Sequence, residues 1–171
     1  MTSYRCTPQI TALFAGLLGE EERGVASSIR RDGAEPKVAA FDDESAWRSA
    51  LADAVRQAQA AEGLGAVIAP WKHEARACAG VLAEELGAQA PALLEDDAAL
   101  PASGVVVITL KLAKGLEFDR VVVPDASARV FPGDDLSRRR LYTTLSRATR
   151  EITVLSRGEL TPLLVGAADA G

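Results

Sequence analysis

The chain has 171 residues, of which 48% are hydrophobic and 25% are charged. This length and composition fit one globular domain with a sizeable core, and they exclude a disordered tail or a fibrous repeat. The formal net charge of −5 argues against a protein that coats nucleic acid by charge alone, so any nucleic-acid contact has to be local.

No apolar run approaches the roughly 20 residues of a membrane span, and the start MTSYRCTPQI lacks the layout of a signal peptide. We therefore expect a soluble, cytoplasmic protein with no membrane partner. Cys6 and Cys78 lie far apart and belong to no CxxC or Cys/His cluster, so neither a disulfide framework nor a metal site is predicted. Both are expected to be small core residues.

Strand and helix signals alternate along the chain, which is the pattern of an α/β domain with a largely parallel sheet. Apolar runs bounded by turn residues are typical of strands that are covered on both faces. The first half predicts, in order, a helix over residues 9–19, a strand over Lys37 to Phe41, a helix from Asp42 or Asp43 to about Ala61, a strand over Gly65 to Pro70 and a helix from about Lys72 to Leu86.

The second half predicts three apolar strands and one helix, after a short edge strand and a loop rich in proline, alanine and glycine. The strands of this half are Ala92 to Leu94, Val105 to Leu110, Arg120 to Ala126 and Glu151 to Arg157, and the helix begins near Asp134 or Asp135.

The stretch LYTTLSRATREI continues this last helix in our prediction. Leu141, Leu145 and Ala148 form an apolar stripe, and Arg150 ends the helix, where a cation offsets the dipole by roughly 0.3–1 kcal/mol. An arginine held rigidly at the end of an element, such as Arg147, can instead reach a phosphate. Because six arginines crowd into residues 138–157, we expect one anion-facing edge.

Ligands bind at the carboxyl ends of the strands in such sheets, so chemistry is expected in KLAKGLEF and DASARVFPGDD, which follow two predicted strands. In KLAKGLEF, Gly115 lets the backbone approach a ligand, Lys111 and Lys114 offer anion contacts, and Glu117 can accept from a hydroxyl. An ordinary connection with solvated lysines explains the same residues. No P-loop sequence GxxxxGK[ST] occurs.

Aromatic residues supply further candidates. In SYRCTP, Tyr4 could stack on a base and Arg5 could reach a phosphate, although such a pair near a terminus is often ordinary surface. His73, the only histidine, has no partner ligand near in sequence and is expected at the surface. Trp47 is expected to pack in the core, and Trp71 at the core or rim, with base stacking as the alternative.

Three segments in this order, SYRCTP, TLKLAKGLEFDRVVV and RRRLYTTLSRATREITVL, resemble motifs IV, V and VI of the UvrD/Rep group of superfamily 1 helicases. The resemblance implies the second RecA-like motor domain of such a helicase. It also implies a P-loop NTPase-type three-layer fold, with a mainly parallel sheet and helices on both faces, over residues 1–171. Only about a hundred residues separate the first two motifs, which is similar to the compact HelD (helicase IV) branch.

The resemblance implies a nucleotide role for five residues. From motif IV, Tyr4 stacks on the adenine of ATP and Arg5 contacts the γ-phosphate. From motif V, Glu117 contacts the ribose, with Gly115 allowing the close approach. From motif VI, Arg147 is the catalytic arginine finger, a group worth roughly a thousandfold or more in rate.

The resemblance also implies contacts to single-stranded DNA by Thr109 and Lys111. The family has a histidine where Lys111 stands, so this chain departs from the motif at that position.

The first motor domain of the family holds the Walker A lysine, the magnesium-binding carboxylates and the water-activating glutamate, and nothing in this chain matches them. The resemblance therefore implies half of a motor, a fragment of a longer protein in which ATP and Mg²⁺ bind between this domain and an N-terminal RecA-like ATPase domain. We expect the isolated chain to be inactive.

Two other functions fit the same residues. A non-unwinding RecA-like interaction module could dock on RNA polymerase, as a HelD-like factor, or on repair proteins. A stand-alone α/β protein could hold a nucleotide through KLAKGLEF. A GxxxxGK[ST] sequence upstream in the reading frame would favour the motor over the interaction module.

Overall fold

The computed structural model of the chain describes residues 37–95 and 99–164, so the helix predicted over residues 9–19, Tyr4, Arg5 and Cys6 lie outside the described residues. The described elements, in chain order, are β1 (Lys37–Phe41), α1 (Glu44–Ala60), β2 (Leu64–Ala69), α2 (Lys72–Leu86), a 3₁₀ turn (Gly87–Gln89), β3 (Ala92–Leu93), β4 (Gly104–Thr109), α3 (Leu110–Ala113), β5 (Phe118–Val123), α4 (Asp135–Leu145) and β6 (Ala148–Arg157).

The described strands form one six-stranded sheet in the order β1-β6-β5-β2-β4-β3. Every neighbouring pair in this sheet is parallel. The predicted fold class, an α/β domain with a mainly parallel sheet, is confirmed.

Both faces of the sheet are covered, which explains why its strands read as continuous apolar runs. In β2, Ala66 and Ile68 point into a cluster that includes residues of α3 and α4. Val67 and Ala69 point the other way, into a cluster with α1 and α2. Successive side chains of a strand alternate between faces, so one apolar strand supports both layers.

The α1 and α2 layer confirms two core predictions. Trp47 is 3% exposed, and its Nε1 donates a hydrogen bond to the carbonyl oxygen of Pro124 at 2.7 Å. Cys78 is buried. Burial raises the pKa of the Cys78 thiol to about 12, so this group stays protonated at neutral pH.

The predicted strand bounds are shifted around β4 and β5. Leu110 does not end a strand but begins α3, and the Thr109 side chain accepts a hydrogen bond from the Leu112 N–H at the start of that helix. Pairing of β5 begins at Phe118, whose N–H donates to the carbonyl oxygen of Arg147 at 2.8 Å. The strand ends before Pro124, where a proline has no N–H for the ladder.

The prediction that the last helix runs to Arg150 is wrong, because α4 ends at Leu145. Two hydroxyl groups near this end bond backward to helix carbonyls: Thr144 donates to Arg140 O at 2.8 Å, and Ser146 donates to Thr143 O at 2.9 Å. Such local bonds compete with continued helical pairing.

Arg150 therefore lies in β6 and not at a helix C-terminus, so it has no dipole to offset. Thr149, Ile152 and Thr153 are β-branched, which favours the strand that begins at Ala148. The Arg150 Nε lies 3.7 Å from a carboxylate oxygen of Asp119, and the side chain is 61% exposed. Arg150 is thus a surface residue of the sheet.

Candidate functional site

The predicted site residues fall at both edges of the sheet. Thr109 ends β4 and Lys111 follows it, so both lie at the carboxyl edge. Glu117 and Arg147 directly precede β5 and β6, so they lie at the amino edge. KLAKGLEF thus begins near a strand carboxyl end, as expected, but Glu117 at its other end lies at the opposite edge of the sheet. The connection of residues 110–117 joins the two edges.

Arg147 occupies the turn between α4 and β6, and its half-buried guanidinium is held by three acceptors. Its Nε donates to Thr143 O at 3.2 Å, its Nη1 to Leu116 O at 3.3 Å and its Nη2 to Ser146 Oγ at 3.1 Å. All three acceptors are uncharged, so these bonds orient the guanidinium without neutralising its charge.

The segment beside Arg147 is the predicted ligand-binding connection. Gly115 has a φ of 82°, a conformation that side chains rarely adopt, and a Cβ built there would meet nothing within 4 Å. The glycine is thus needed for the backbone path and not for packing. Gly115 and Glu117 are exposed, next to the Leu116 carbonyl that holds Arg147. Arg147 and Glu117 therefore place a guanidinium and a carboxylate at the same edge of the sheet.

At the carboxyl edge, the residues that follow β2, the α3 segment and α4 enclose an open groove of about 700 Å³, which we call the basic groove. Among the described residues that line it, four are cationic and none carries a carboxylate. In a chain with a net charge of −5, this groove is a local surface for anions. Its lining is Pro70, Trp71, Leu110, Lys111, Lys114, Leu136, Arg139, Arg140 and Thr143.

Thr109 lies beside the basic groove and not in its described lining. The residue is 8% exposed, and its hydroxyl oxygen accepts from the Leu112 N–H at 3.4 Å. It lines a smaller neighbouring pocket of about 100 Å³ that also includes Lys111 and Lys72. Lys111 is exposed and faces both spaces, so it is the better placed of the two predicted DNA contacts.

The α4 residues of the basic groove belong to the arginine-rich region for which the sequence predicts an anion-facing edge, but the groove itself was not predicted. Leu136, Arg139, Arg140 and Thr143 are spaced i, i+3, i+4 and i+7, so they share one face of the helix. Leu136 is 51% exposed, which is unusual for a leucine in this structure. The spacing is visible in the sequence, but the groove that this face borders is formed by elements distant in sequence.

Trp71 lies just after β2, where α2 begins, and it packs at the rim of the core, as predicted. Its half-buried indole packs against the apolar cluster below α4. Its ring also stacks on His73, with ring centroids 5.7 Å apart and planes 4° from parallel. The Arg140 guanidinium lies over the indole, 5.5 Å from its centroid. His73 is at the surface, as predicted.

Within the described residues, no helix is long and apolar enough to cross a membrane. In the same part of the chain, no group of three or more histidine, cysteine, aspartate or glutamate side chains is arranged to hold a metal ion.

Comparisons with known proteins agree with this architecture. Residues 104–155 match the family model of the UvrD-like helicase C-terminal domain. This range includes the connection beside Gly115 and the turn at Arg147, and it excludes Tyr4 and Arg5. No protein with a curated description matches the chain.

A solved structure matches nearly the whole chain. It is the crystal structure of the C-terminal domain of a possible DNA helicase from Lactobacillus plantarum WCFS1, with a TM-score of 0.74 and 29% sequence identity. The match covers 95% of this chain and 92% of that one. The family-model and structural matches together support a UvrD-like helicase C-terminal domain, whereas the HelD-like assignment stays a prediction.

The cap of α4 gives a first testable prediction, because this helix positions both the basic groove and Arg147. Asp134 accepts a hydrogen bond from the Ser137 N–H at 3.0 Å, and the bonds from the Ser137 side chain and backbone lower the pKa of Asp134. The ionised cap therefore stabilises the fold above the ordinary pKa of 3.8, and this stabilisation is lost as the pH falls through the lowered value.

We expect Asp134→Ala to lower the melting temperature at neutral pH and to flatten its fall in acid. Asp134→Asn, which keeps an acceptor oxygen but cannot titrate, should preserve most of the neutral-pH stability. Thermal unfolding followed by circular dichroism between pH 2 and 7 measures both effects. Unchanged melting of the alanine variant at neutral pH would contradict the capping role.

Proposed function

We propose that the chain is the second motor domain of an ATP-dependent superfamily 1 DNA helicase or translocase. In this proposal, Arg147 completes an ATP site whose other half belongs to an N-terminal RecA-like domain. The observation that carries the proposal is the guanidinium of Arg147, oriented by neutral acceptors beside the Gly115 to Glu117 backbone. The helicase C-terminal family match over this same region supports it.

The amino edge supplies the groups that this half-site needs. Phosphoryl transfer depends on neutralising charge around the transferred phosphate, which a fixed guanidinium can do. The exposed Glu117 carboxylate can accept hydrogen bonds from ribose hydroxyls, and the backbone at Gly115 allows close approach. When bound, ATP with Mg²⁺ would supply the phosphoanhydride whose hydrolysis drives the motor. Tyr4 and Arg5 would add adenine and phosphate contacts.

The basic groove supplies the nucleic-acid side of the proposal. Lys111 and its neighbouring cations would bind phosphates of single-stranded DNA, with Thr109 beside them. The solved relative is described as part of a possible DNA helicase, which favours this polymer.

The two sites share one residue and one helix. Thr143 lines the basic groove, and its carbonyl oxygen accepts the hydrogen bond from Arg147 Nε. A bound DNA strand that shifts Thr143 would therefore also shift the guanidinium of Arg147. In a two-domain motor, this contact would couple DNA binding to closure of the ATP site.

The arginine-finger assignment is tested by Arg147→Ala in the protein that carries both motor domains. We expect the ATP turnover rate to fall by about a thousandfold or more, because the charge on the transferred phosphate loses its partner. Nucleotide affinity should fall much less. Steady-state hydrolysis and titration with a fluorescent ATP analogue measure the two quantities separately.

Arg150→Ala is the matched control, because Arg150 is an exposed arginine of the neighbouring strand and should leave turnover unchanged. Normal turnover in Arg147→Ala would contradict the arginine-finger assignment. Robust hydrolysis by the isolated 171-residue chain would contradict the half-site.

The nucleic-acid side is tested by Lys111→Ala in the 171-residue chain. Removing one phosphate contact should weaken binding of single-stranded DNA and reduce the slope of log affinity against log salt by about 0.7–1. Fluorescence anisotropy over a range of salt concentrations measures this slope. Lys37→Ala, an exposed lysine at the start of β1, should leave both affinity and slope unchanged. Equal effects of the two variants would argue against a defined groove.

A further inference from the structure

The hydroxyl group of Ser146 lies between the end of α4 and the guanidinium of Arg147. It donates a hydrogen bond to the carbonyl oxygen of Thr143 at 2.9 Å, and it accepts one from Arg147 Nη2 at 3.1 Å. Ser146 is 7% exposed, so water has little access to replace either bond. The hydroxyl is therefore donor and acceptor at once, and it links the guanidinium to the helix.

The contacts of Thr143 and Ser146 fix one edge of the planar guanidinium. Nε and Nη2 form that edge, and Nε donates to the Thr143 carbonyl oxygen while Nη2 donates to the Ser146 hydroxyl. On the other side, Nη1 donates to the Leu116 carbonyl oxygen. These bonds within the described residues use three of the five N–H donors of an arginine, so an N–H of Nη1 and one of Nη2 are left to bind a phosphate oxygen.

The neutral acceptors of Arg147 distinguish it from most arginines in the described part of the chain. A carboxylate partner cancels much of the field that an arginine directs at a phosphate, whereas a hydroxyl fixes the direction of the guanidinium and leaves its charge intact. A serine at position 146 is therefore suited to an arginine that acts on an anion. The arginines that do lie near a carboxylate oxygen are Arg48, Arg56, Arg76, Arg120, Arg129, Arg138, Arg150 and Arg157.

We propose that Ser146 is a positioning residue for the arginine finger. Its hydroxyl holds the Nη2 side of the Arg147 guanidinium, so that the remaining N–H groups face the phosphate that is transferred. The proposal rests on the proposed role of Arg147 in ATP hydrolysis, and it names the group that orients this side chain. Ser146 acts through Arg147 and needs no contact with the nucleotide. Because the orientation is set before the phosphate arrives, less reorganisation is needed in the transition state.

The test is Ser146→Ala in the protein that carries both motor domains. Removing the hydroxyl should lower the single-turnover rate of ATP hydrolysis by about 3- to 10-fold, the change that corresponds to the loss of one neutral hydrogen bond. The affinity for a fluorescent ATP analogue should not change, because the bond serves the transition state and not the ground state. Ser146→Thr, which keeps the hydroxyl, should restore the rate.

A double variant separates positioning from a general role in folding. Because Ser146 acts through Arg147, Ser146→Ala should cause no further loss of rate in a protein that already carries Arg147→Ala. A defect in folding would instead lower the rate in both backgrounds. The matched control is Thr144→Val. The Thr144 hydroxyl also bonds back to a carbonyl oxygen of α4, that of Arg140 at 2.8 Å, so its removal should leave the rate unchanged.

The outcomes distinguish this proposal from the arginine finger itself. A normal rate in Ser146→Ala, together with a strongly impaired Arg147→Ala, would overturn the positioning role and leave the finger intact. A normal rate in Arg147→Ala would overturn both. An equal loss in Thr144→Val, a further loss in the double variant, or failure of Ser146→Thr to restore the rate would also overturn the positioning role.

Discussion

The hydrogen bonds around Arg147 connect three parts of the structure that the rest of the domain depends on. Its backbone carbonyl accepts from the Phe118 N–H, and its guanidinium donates to the Leu116 carbonyl, so the starts of β5 and β6 are held together. A third bond reaches back to Thr143 in α4. One residue thus joins the helix, the connection beside Gly115 and the sheet.

The position of α4 explains how the basic groove at one edge of the sheet is connected to Arg147 at the other edge. The helix α4 begins beyond β5 and ends just before β6, so its first turns line the basic groove and its end presents Arg147. A helix of this length spans about 16 Å, at 1.5 Å per residue. Because helices resist bending, a ligand that moves the groove face of α4 also moves the turn at its end. In the proposed function, this helix would transmit motion between the nucleic-acid site and the nucleotide site.

Much of the fold could be predicted from the sequence, because its strands are apolar on both faces and alternate with helices. The sequence pattern gave the wrong element where tertiary pairing overrides local helix preference, at the start of β6. Ala148 fits the apolar stripe of a helix and equally a buried strand position, and only pairing with Phe118 decides between them. That pairing joins residues distant in sequence, which no local pattern reveals.

The candidate sites could likewise be predicted only in part from the sequence. The adjacency of Arg147 to the connection beside Gly115 agrees with the resemblance to motifs V and VI, whose functional roles here stay predictions. The stack of Trp71 on His73 and its contact with Arg140 needed coordinates, because the ring and the guanidinium lie on elements far apart in sequence. The spacing of the α4 groove residues was visible, but nothing local indicated that an open groove lay beside them.

In the proposed function, nucleotide and nucleic acid bind different edges of this one domain. Hydrogen exchange measured by mass spectrometry, on the protein that carries both motor domains, tests it most directly. A non-hydrolysable ATP analogue should protect residues 115–118 and 146–148, whereas single-stranded DNA should first protect residues 70–74 and 136–143. Protection of the same peptides by both ligands, or of residues 115–118 by DNA alone, would show that the two ligands do not bind separate edges.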